Sequence, residues 1–341
     1  MSALLTRQQC FRRLAAYFIL ALAALLVTPL IGSETLQFKQ ILNDLTSNQP
    51  WGIDTEIFVH QRLPRVVLAF LVGAGLAVVG GVFQVVLRNP LAEPSTLGIT
   101  AGGTVGAVLA IKLQFLSFTL GPLSSVQVFA MIGSGLTLLL IYVLARRSDG
   151  VSMHTLLLTG VTIGICGNAA ILFISYLASP NMLVAMNRWM MGGVDVLGFS
   201  QLGALFPLLL PGLGLLFILV PSLNHLSLGE EMAMGHGVNV AGVQRVAFLG
   251  GGLIIAAVVS LTGPIAFVGL IVPHILRRLS GYDHRVIIPA SFFAGGAFLT
   301  ICDCLARTLI APTEMPVGII TAITGGPFFI YLLLRRKTTQ D

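Results

Sequence analysis

The sequence predicts an all-α polytopic membrane protein with about ten transmembrane helices, built as one domain over residues 1–341. Three observations carry this prediction. Of the 341 residues, 56% are hydrophobic and only 9% are charged, whereas a soluble domain carries about 25% charged residues. Such a chain cannot cover itself with a polar surface. Its apolar residues also fall into runs near the about 20 needed to cross a bilayer as a helix. Finally, the 38 glycines suit helices that approach backbone to backbone in lipid.

The ten runs are 14–31, 64–87, 95–113, 126–144, 155–177, 202–220, 243–261, 264–276, 286–309 and 316–334. The eighth is the shortest and carries Pro264 and Pro273. The first could instead be a cleaved signal peptide, but it is long and no small-residue cleavage site closes it, so a retained helix is expected. Segment 32–63 mixes polar and apolar residues as a helix lying on the membrane surface would. Segment 224–245 is the most polar stretch between any two runs. With the N-terminus inside, 13 of the 19 Lys and Arg residues fall in cytoplasmic segments. The outer side holds the other six: Lys39, Arg62, Arg65, Lys112, Arg188 and Arg307. That imbalance places both termini in the cytoplasm. The net charge of +6 does not point to nucleic acid, because the basic residues stand singly at the ends of apolar runs.

Two segments carry more than hydropathy. In Arg62-Leu63-Pro64-Arg65, followed by Gly73, Gly75, Gly80, Gly81 and Gln84, a helix nearly free of bulk is suited to close contact. The prolines of Arg88-Asn89-Pro90-Leu91-Ala92-Glu93-Pro94 then force a turn at the membrane face. The second segment, Ser227 to Asn239, reads as a short amphipathic helix from Leu228 to Gly235. Glu230 and Glu231 stand at its N-terminus and glycines at its end. It could rest on the membrane or dock into a groove of a partner. Membrane-surface helices usually carry Lys or Arg, so the glutamates favour docking.

Eight stretches in order, from about residue 60 to the C-terminus, resemble the permease subunits of bacterial ABC importers for iron–siderophore complexes, haem and cobalamin, the FecCD/BtuC-type permeases. They are RLPR, RNPLAEPSTLG, LLLTGVTIG, WMMGG, SLGEEMAMGHGVN, GPIAFVGLIVPHILRRLSG, the Asp303 to Arg307 segment and PTEMPVGIITAITGGPFFIYLLLRR. The resemblance implies a type II importer permease in the bacterial inner membrane. It would be paired with a second permease, in a homodimer by expectation. Two cytoplasmic ATPases and a periplasmic or lipid-anchored substrate-binding protein would complete the importer, with ferric siderophore as the first-named cargo and haem or cobalamin as alternatives.

Carried onto this chain, the resemblance assigns Leu228, Gly229, Glu230, Glu231, Ala233, Gly235 and Gly237 to coupling with the ATPase. Arg62, Arg65 and Arg307 are assigned to docking of the binding protein, although Asp303 could instead neutralise Arg307 from one turn away. Ser152, Met153 and His154 fall at the inner gate position, His154 being equally readable as an interfacial residue. Met190 and Met191 are expected along the path, as wall rather than as metal ligands. No catalytic site, metal site or cofactor is expected, and ATP would be bound by the partner subunit. An ion-coupled secondary transporter and a membrane-embedded enzyme are the competing classes. The sequence offers neither buried ion-coupling residues nor a P-loop or H-E-x-x-H pattern.

Overall fold

The computed structural model describes residues 6–47, 50–114, 117–147, 150–151, 153–196 and 198–337. Its helices are α1 (Arg7–Val27), α2 (Phe38–Thr46), α3 (Ile53–Ile57), α4 (Leu63–Val86), α5 (Ile99–Lys112), α6 (Ser125–Ala145), α7 (Met153–Tyr176) and α8 (Pro180–Met190). They continue as α9 (Ser200–Ile218), α10 (Val220–Leu226), α11 (Glu230–Gly235), α12 (Val240–Thr262), α13 (Val268–Ser280), α14 (His284–Thr308) and α15 (Val317–Lys337). Two two-residue antiparallel ladders, Thr119–Leu120 with Leu123–Ser124 and Arg146–Arg147 with Gly150–Val151, close short turns. Each of the ten apolar runs holds one helix: α1, α4 to α7, α9 and α12 to α15. Seven of these are long and apolar enough to cross a membrane, while α5 and Val317–Tyr331 are shorter apolar helices and α13 has 13 residues.

Two boundaries differ from the sequence expectation. The second membrane helix does not begin at Pro64. It continues outward through a π-helical turn, Phe58–Arg62, into α3, giving one helical stretch over Ile53–Val86. Pro64 has no N–H to offer the His60 carbonyl four residues earlier, and that oxygen accepts from Gly198 N at 2.8 Å instead. In the eighth run, the helix starts at Val268 rather than Pro264. Gly263 (φ 67°) and Phe267 (φ 70°) both hold left-handed backbone, so the chain bends before α13 can begin. The Glu93 carboxylate accepts the Phe267 N–H at that bend. The expected surface helix is α2, with Ile41 buried and Phe38, Leu42 and Leu45 exposed. Asp44 accepts from Thr55 Oγ1 (2.7 Å) and Gly52 N (2.9 Å), fastening α2 to α3. These two bonds hold its carboxyl below the usual carboxylate range.

Helix α4 is the hub of the bundle. Nearly its whole length is buried, which a helix of small residues permits. A Cβ on Gly73 would overlap the Gly295 carbonyl of α14, and one on Gly80 would overlap the Gly269 carbonyl of α13. Gln84 then bridges α4 to α13, donating to Gly269 O at 3.0 Å and Ala92 O at 3.3 Å while accepting from Arg277. A buried amide is thus satisfied on both sides, as the membrane interior requires. Because the helices alternate in direction, one end of the bundle gathers Arg65, the end of α14 and the start of α15. The opposite end gathers α10 and α11. They are called the Arg65 end and the Glu230 end.

Gly80→Ala is expected to destabilise the protein by about 1–3 kcal/mol through overpacking. Gly135→Ala, where no atom lies within 4 Å of the new Cβ, is expected to stay within about 0.5 kcal/mol. Thermal unfolding of the two variants in detergent checks the pair.

Candidate functional site

At the Arg65 end, three arginines converge on one buried carboxylate and a ring of carbonyls. Asp303, on α14 and fully buried, accepts from Arg65 Nε at 3.0 Å and from Arg307 Nε at 3.1 Å. Arg307 also donates to Ile31 O (3.0 Å) and Thr28 O (3.3 Å). Arg62 donates to Pro29 O (3.2 Å), Leu30 O (3.4 Å) and Glu34 O. These bonds fasten the chain leaving α1 onto α4 and α14. Arg62 and Arg307 are therefore interior residues, 6% and 2% exposed, and do not stand free on an outer rim as the sequence suggested. The i, i+4 spacing on α14 brings Asp303 under Arg307, and the local pairing is what forms. Arg65 differs: its Nη1 reaches out to Glu314 Oε2 at 2.5 Å, and Glu314 is half-exposed.

Beside this hub lie the end of α8 and the turn after it, Trp189-Met190-Met191-Gly192-Gly193. At Gly192 a glycine is forced by neighbouring backbone. Gly192 (φ 70°) lies against the Pro264 carbonyl, and Gly318 of α15 lies against the Met191 carbonyl. Gly193 N donates to Thr262 O (2.8 Å) and Gly318 N to Gly192 O (3.1 Å). The turn is thus clamped between the end of α12 and the start of α15. It walls a cavity of about 770 Å³ together with Arg65, Arg188, Asp195, Glu314 and Met315. Arg188 pairs with Asp195 at 3.1 Å on the exposed rim. Among the described residues, the buried indole N–H of Trp189 has no acceptor, a deficit of about 1–3 kcal/mol for a buried donor.

Met190 faces a second cavity of about 460 Å³, shared with Thr100 and Thr104 of α5 and with Gly160, Gly164 and Asn168 of α7. Met190 at the end of α8 thus shares a cavity with α7 and α5, and Met191 is exposed. Helix α7 starts at Met153, with His154 in its first turn; Ser152 lies outside the described residues. Along its length α7 leaves Val161, Ile165, Leu172 and Phe173 exposed.

The Glu230 end presents α11, six residues from Glu230 to Gly235. It is shorter than the expected 228–235 because Gly229 adopts φ 124°, leaving Leu228 and Gly229 before the helix. Ala233 is fully buried, so it anchors the helix and offers nothing to a partner; Val238 N closes the turn on its carbonyl at 3.0 Å. What faces outward is Leu228, Met232 and Met234, each more than half exposed, beside Glu231, Gly235 and Gly237. The loop is tied to both long helices. Arg88, at the end of α4, has Nε 3.9 Å from Glu230 Oε1. Asn224 of α10 donates to Asp283 Oδ1 (3.2 Å) and accepts from His284 N (2.9 Å) at the start of α14. Burial disfavours the Asp283 charge, but hydrogen bonds from Arg285 and Asn224 outweigh it and hold its pKa down at about 2.

The FecCD transport family matches residues 19–335 of this chain. The chain belongs to that family of ABC importer permeases. The hemin transport system permease protein of Yersinia pestis is 37% identical over 331 residues, covering 96% of this chain and 98% of that protein. The iron(3+)-hydroxamate import system permease protein of Bacillus subtilis (strain 168) is 36% identical over 292 residues, 83% of this chain and 84% of that one. A solved structure described as an inward-facing metal-chelate type ABC transporter matches with a TM-score of 0.81 at 29% identity, covering 95% and 99% of the two chains. Membership of a family of ABC transport permeases is consistent with a chain that is not itself an enzyme.

Sequence reasoning missed Asp195, Glu314 and Asn224 as site residues. The first two had a usable signal: in a chain only 9% charged, an acid flanking an apolar run needs a cation nearby. Asn224 had none.

Asp303→Asn is expected to cost about 3–5 kcal/mol, because it leaves the buried Arg307 guanidinium without a counter-charge and Arg65 with Glu314 alone. Adding Arg307→Gln to Asp303→Asn should cost less than Arg307→Gln costs alone, since its partner charge is already gone. Thermal unfolding of the three variants measures both.

Proposed function

We propose that this chain forms one half of the membrane pore of an ATP-driven importer for an organic metal chelate. On this reading it works as a homodimer with two cytoplasmic ATPases in a bacterial inner membrane, both termini inside. Ferric siderophore is the cargo named first from the sequence. Haem is carried by a relative that spans nearly the whole chain, and cobalamin is the further alternative. No resident cofactor is needed, because ATP is bound and hydrolysed by the separate ATPase subunit.

The observation that carries this reading is that α4 and α14 are locked together and each is tied at both ends. At the Glu230 end, Arg88 and Asp283 receive α11 and α10. At the Arg65 end, Arg65 and Arg307 share Asp303. Because Gly73 and Gly295 hold the two helices backbone to backbone, a push on α11 by the ATPase is carried along the pair as one body. The exposed Leu228, Met232 and Met234 are the apolar contact for that ATPase. Arg65 with Glu314 remains as the docking contact for a substrate-binding protein, and Arg62 and Arg307 brace the platform under it. The exposed apolar face of α7 takes the second permease. Ser152, Met153 and His154 would form the inner gate.

Gly235→Trp tests the coupling. No atom lies within 4 Å of a Cβ at Gly235, so the variant should insert and fold normally yet fail to co-purify with the ATPase, as should Glu231→Arg. ATP-dependent chelate uptake into proteoliposomes should fall at least tenfold. Intact assembly and uptake in both variants would refute the coupling role.

A further inference from the structure

We infer that His225 and His236 form a two-histidine site for a divalent transition-metal ion, which braces α11 against α10. His225 lies in α10 and His236 directly follows α11. The turn between these short helices brings the two rings together, with centroids 5.2 Å apart and planes 29° from parallel. Two imidazoles on one ion, at a Zn–N length of about 2.0–2.1 Å and a tetrahedral angle, keep their centres about 5 Å apart. The pair is therefore spaced for a shared ion. Both side chains are exposed, so each can turn a ring nitrogen toward it.

A second observation points to a ligand. His236 Nδ1 lies 2.7 Å from Met232 O. A carbonyl only accepts, so Nδ1 carries the proton, and in the neutral ring the Nε2 lone pair is left for a metal. A ring N–H donated to a backbone carbonyl is also the outer-shell bond that orients metal-binding histidines. Imidazole suits zinc, copper, iron and nickel ions. Among the described residues no group of three or more His, Cys, Asp and Glu could hold a metal, so water completes the coordination and the ion exchanges with solvent. Glu231, exposed on α11 and in no ion pair among the described residues, adds negative charge to the loop.

The effect on the loop comes from its hinges. Helix α11 lies between Gly229 (φ 124°) and Gly237 (φ 80°), and no atom lies within 4 Å of a Cβ at Gly235 or Gly237. Helix α10, by contrast, is fastened to α14 through Asn224, the neighbour of His225. An ion shared by His225 and His236 ties the open end of α11 to that fastened helix. It reduces the freedom of α11 to shift when the ATPase pushes on it. On the importer reading, on which this effect rests, a transition ion accumulating on the ATPase side slows further uptake.

The test titrates Zn²⁺ into the untagged full chain in lipid nanodiscs, read by calorimetry. His225→Ala and His236→Ala are each expected to weaken Zn²⁺ binding at least tenfold. His60→Ala, beside Trp51 at the opposite end, should leave it unchanged. If one of the two site variants fails to fold, the other carries the test. Unchanged Zn²⁺ affinity in a folded site variant would overturn the site. In proteoliposomes holding the assembled importer, Zn²⁺ on the ATPase side should slow ATP-dependent chelate uptake at least threefold, and His225→Ala should relieve the slowing. No slowing, or equal slowing in His225→Ala, would overturn the brace. Zn²⁺ binding at the pair without ATP-driven uptake of any chelate keeps the site and sinks the importer. Uptake without that binding does the reverse.

Discussion

The backbone contacts of α4 are the constraint on which the rest of the molecule depends. In a bilayer there is no hydrophobic gain in bringing two helices together, because lipid tails are as apolar as leucine. Association has to come from close van der Waals contact and from polar groups satisfied between helices. Gly73 against Gly295 and Gly80 against Gly269 supply the first, and Gln84 with Arg277 and Gly269 the second. With α13 and α14 so close, α4 becomes an interior element, and α12 and α9 complete its enclosure around Gly75. Bulk at any of these glycines would separate the helices that hold both functional ends in register.

Charge is used sparingly and with a division of labour. Buried ion pairs cost desolvation and add little net stability unless fully satisfied. Asp303 meets that condition with two arginines, and the guanidinium hydrogens left over go to carbonyls at the end of α1. This fixes a surface segment to two membrane helices. The Arg188–Asp195 pair is exposed on both sides and the Arg65–Glu314 pair on its Glu314 side, so both stabilise less than the buried pairing. Firm anchoring beneath is thus combined with weaker, exposed charge above. At the other end the same contrast recurs, with Asp283 tightly held and the Arg88–Glu230 contact loose at 3.9 Å.

The legibility of these features in the sequence varied with the range of the interaction that decides them. The membrane helices were legible because hydropathy is a local property. The pairing of Asp303 with Arg307 was legible because one helical turn separates them. The burial of Ala233 was not, since a six-residue helix has no periodicity long enough to fix which face turns inward. Nor was the early start of the second membrane helix: Pro64 marks a helix beginning in most settings, and here a π-helical turn and the Gly198 N–H that reaches His60 O accompany the helix through it. Arg62 was misplaced for a related reason. The resemblance assigned it to an outer docking surface, but the carbonyls left free after α1 gave it a buried set of acceptors.

By itself, the sequence determined the class of the molecule, its ten helices, the polar loop at 224–245 and the order of motifs that place the chain in its family. These follow from composition, local pattern and short spacings, which act within a few residues. Tertiary structure alone decided that Trp189 to Gly193 is clamped between α12 and α15, that Arg65 and Arg188 share one cavity, and that α10 and α11 are tied to the starts and ends of the same two helices that carry the arginine hub. Each joins residues far apart in the chain through a close backbone approach or a buried hydrogen bond, and no local preference encodes which distant carbonyl a guanidinium or a glycine will meet.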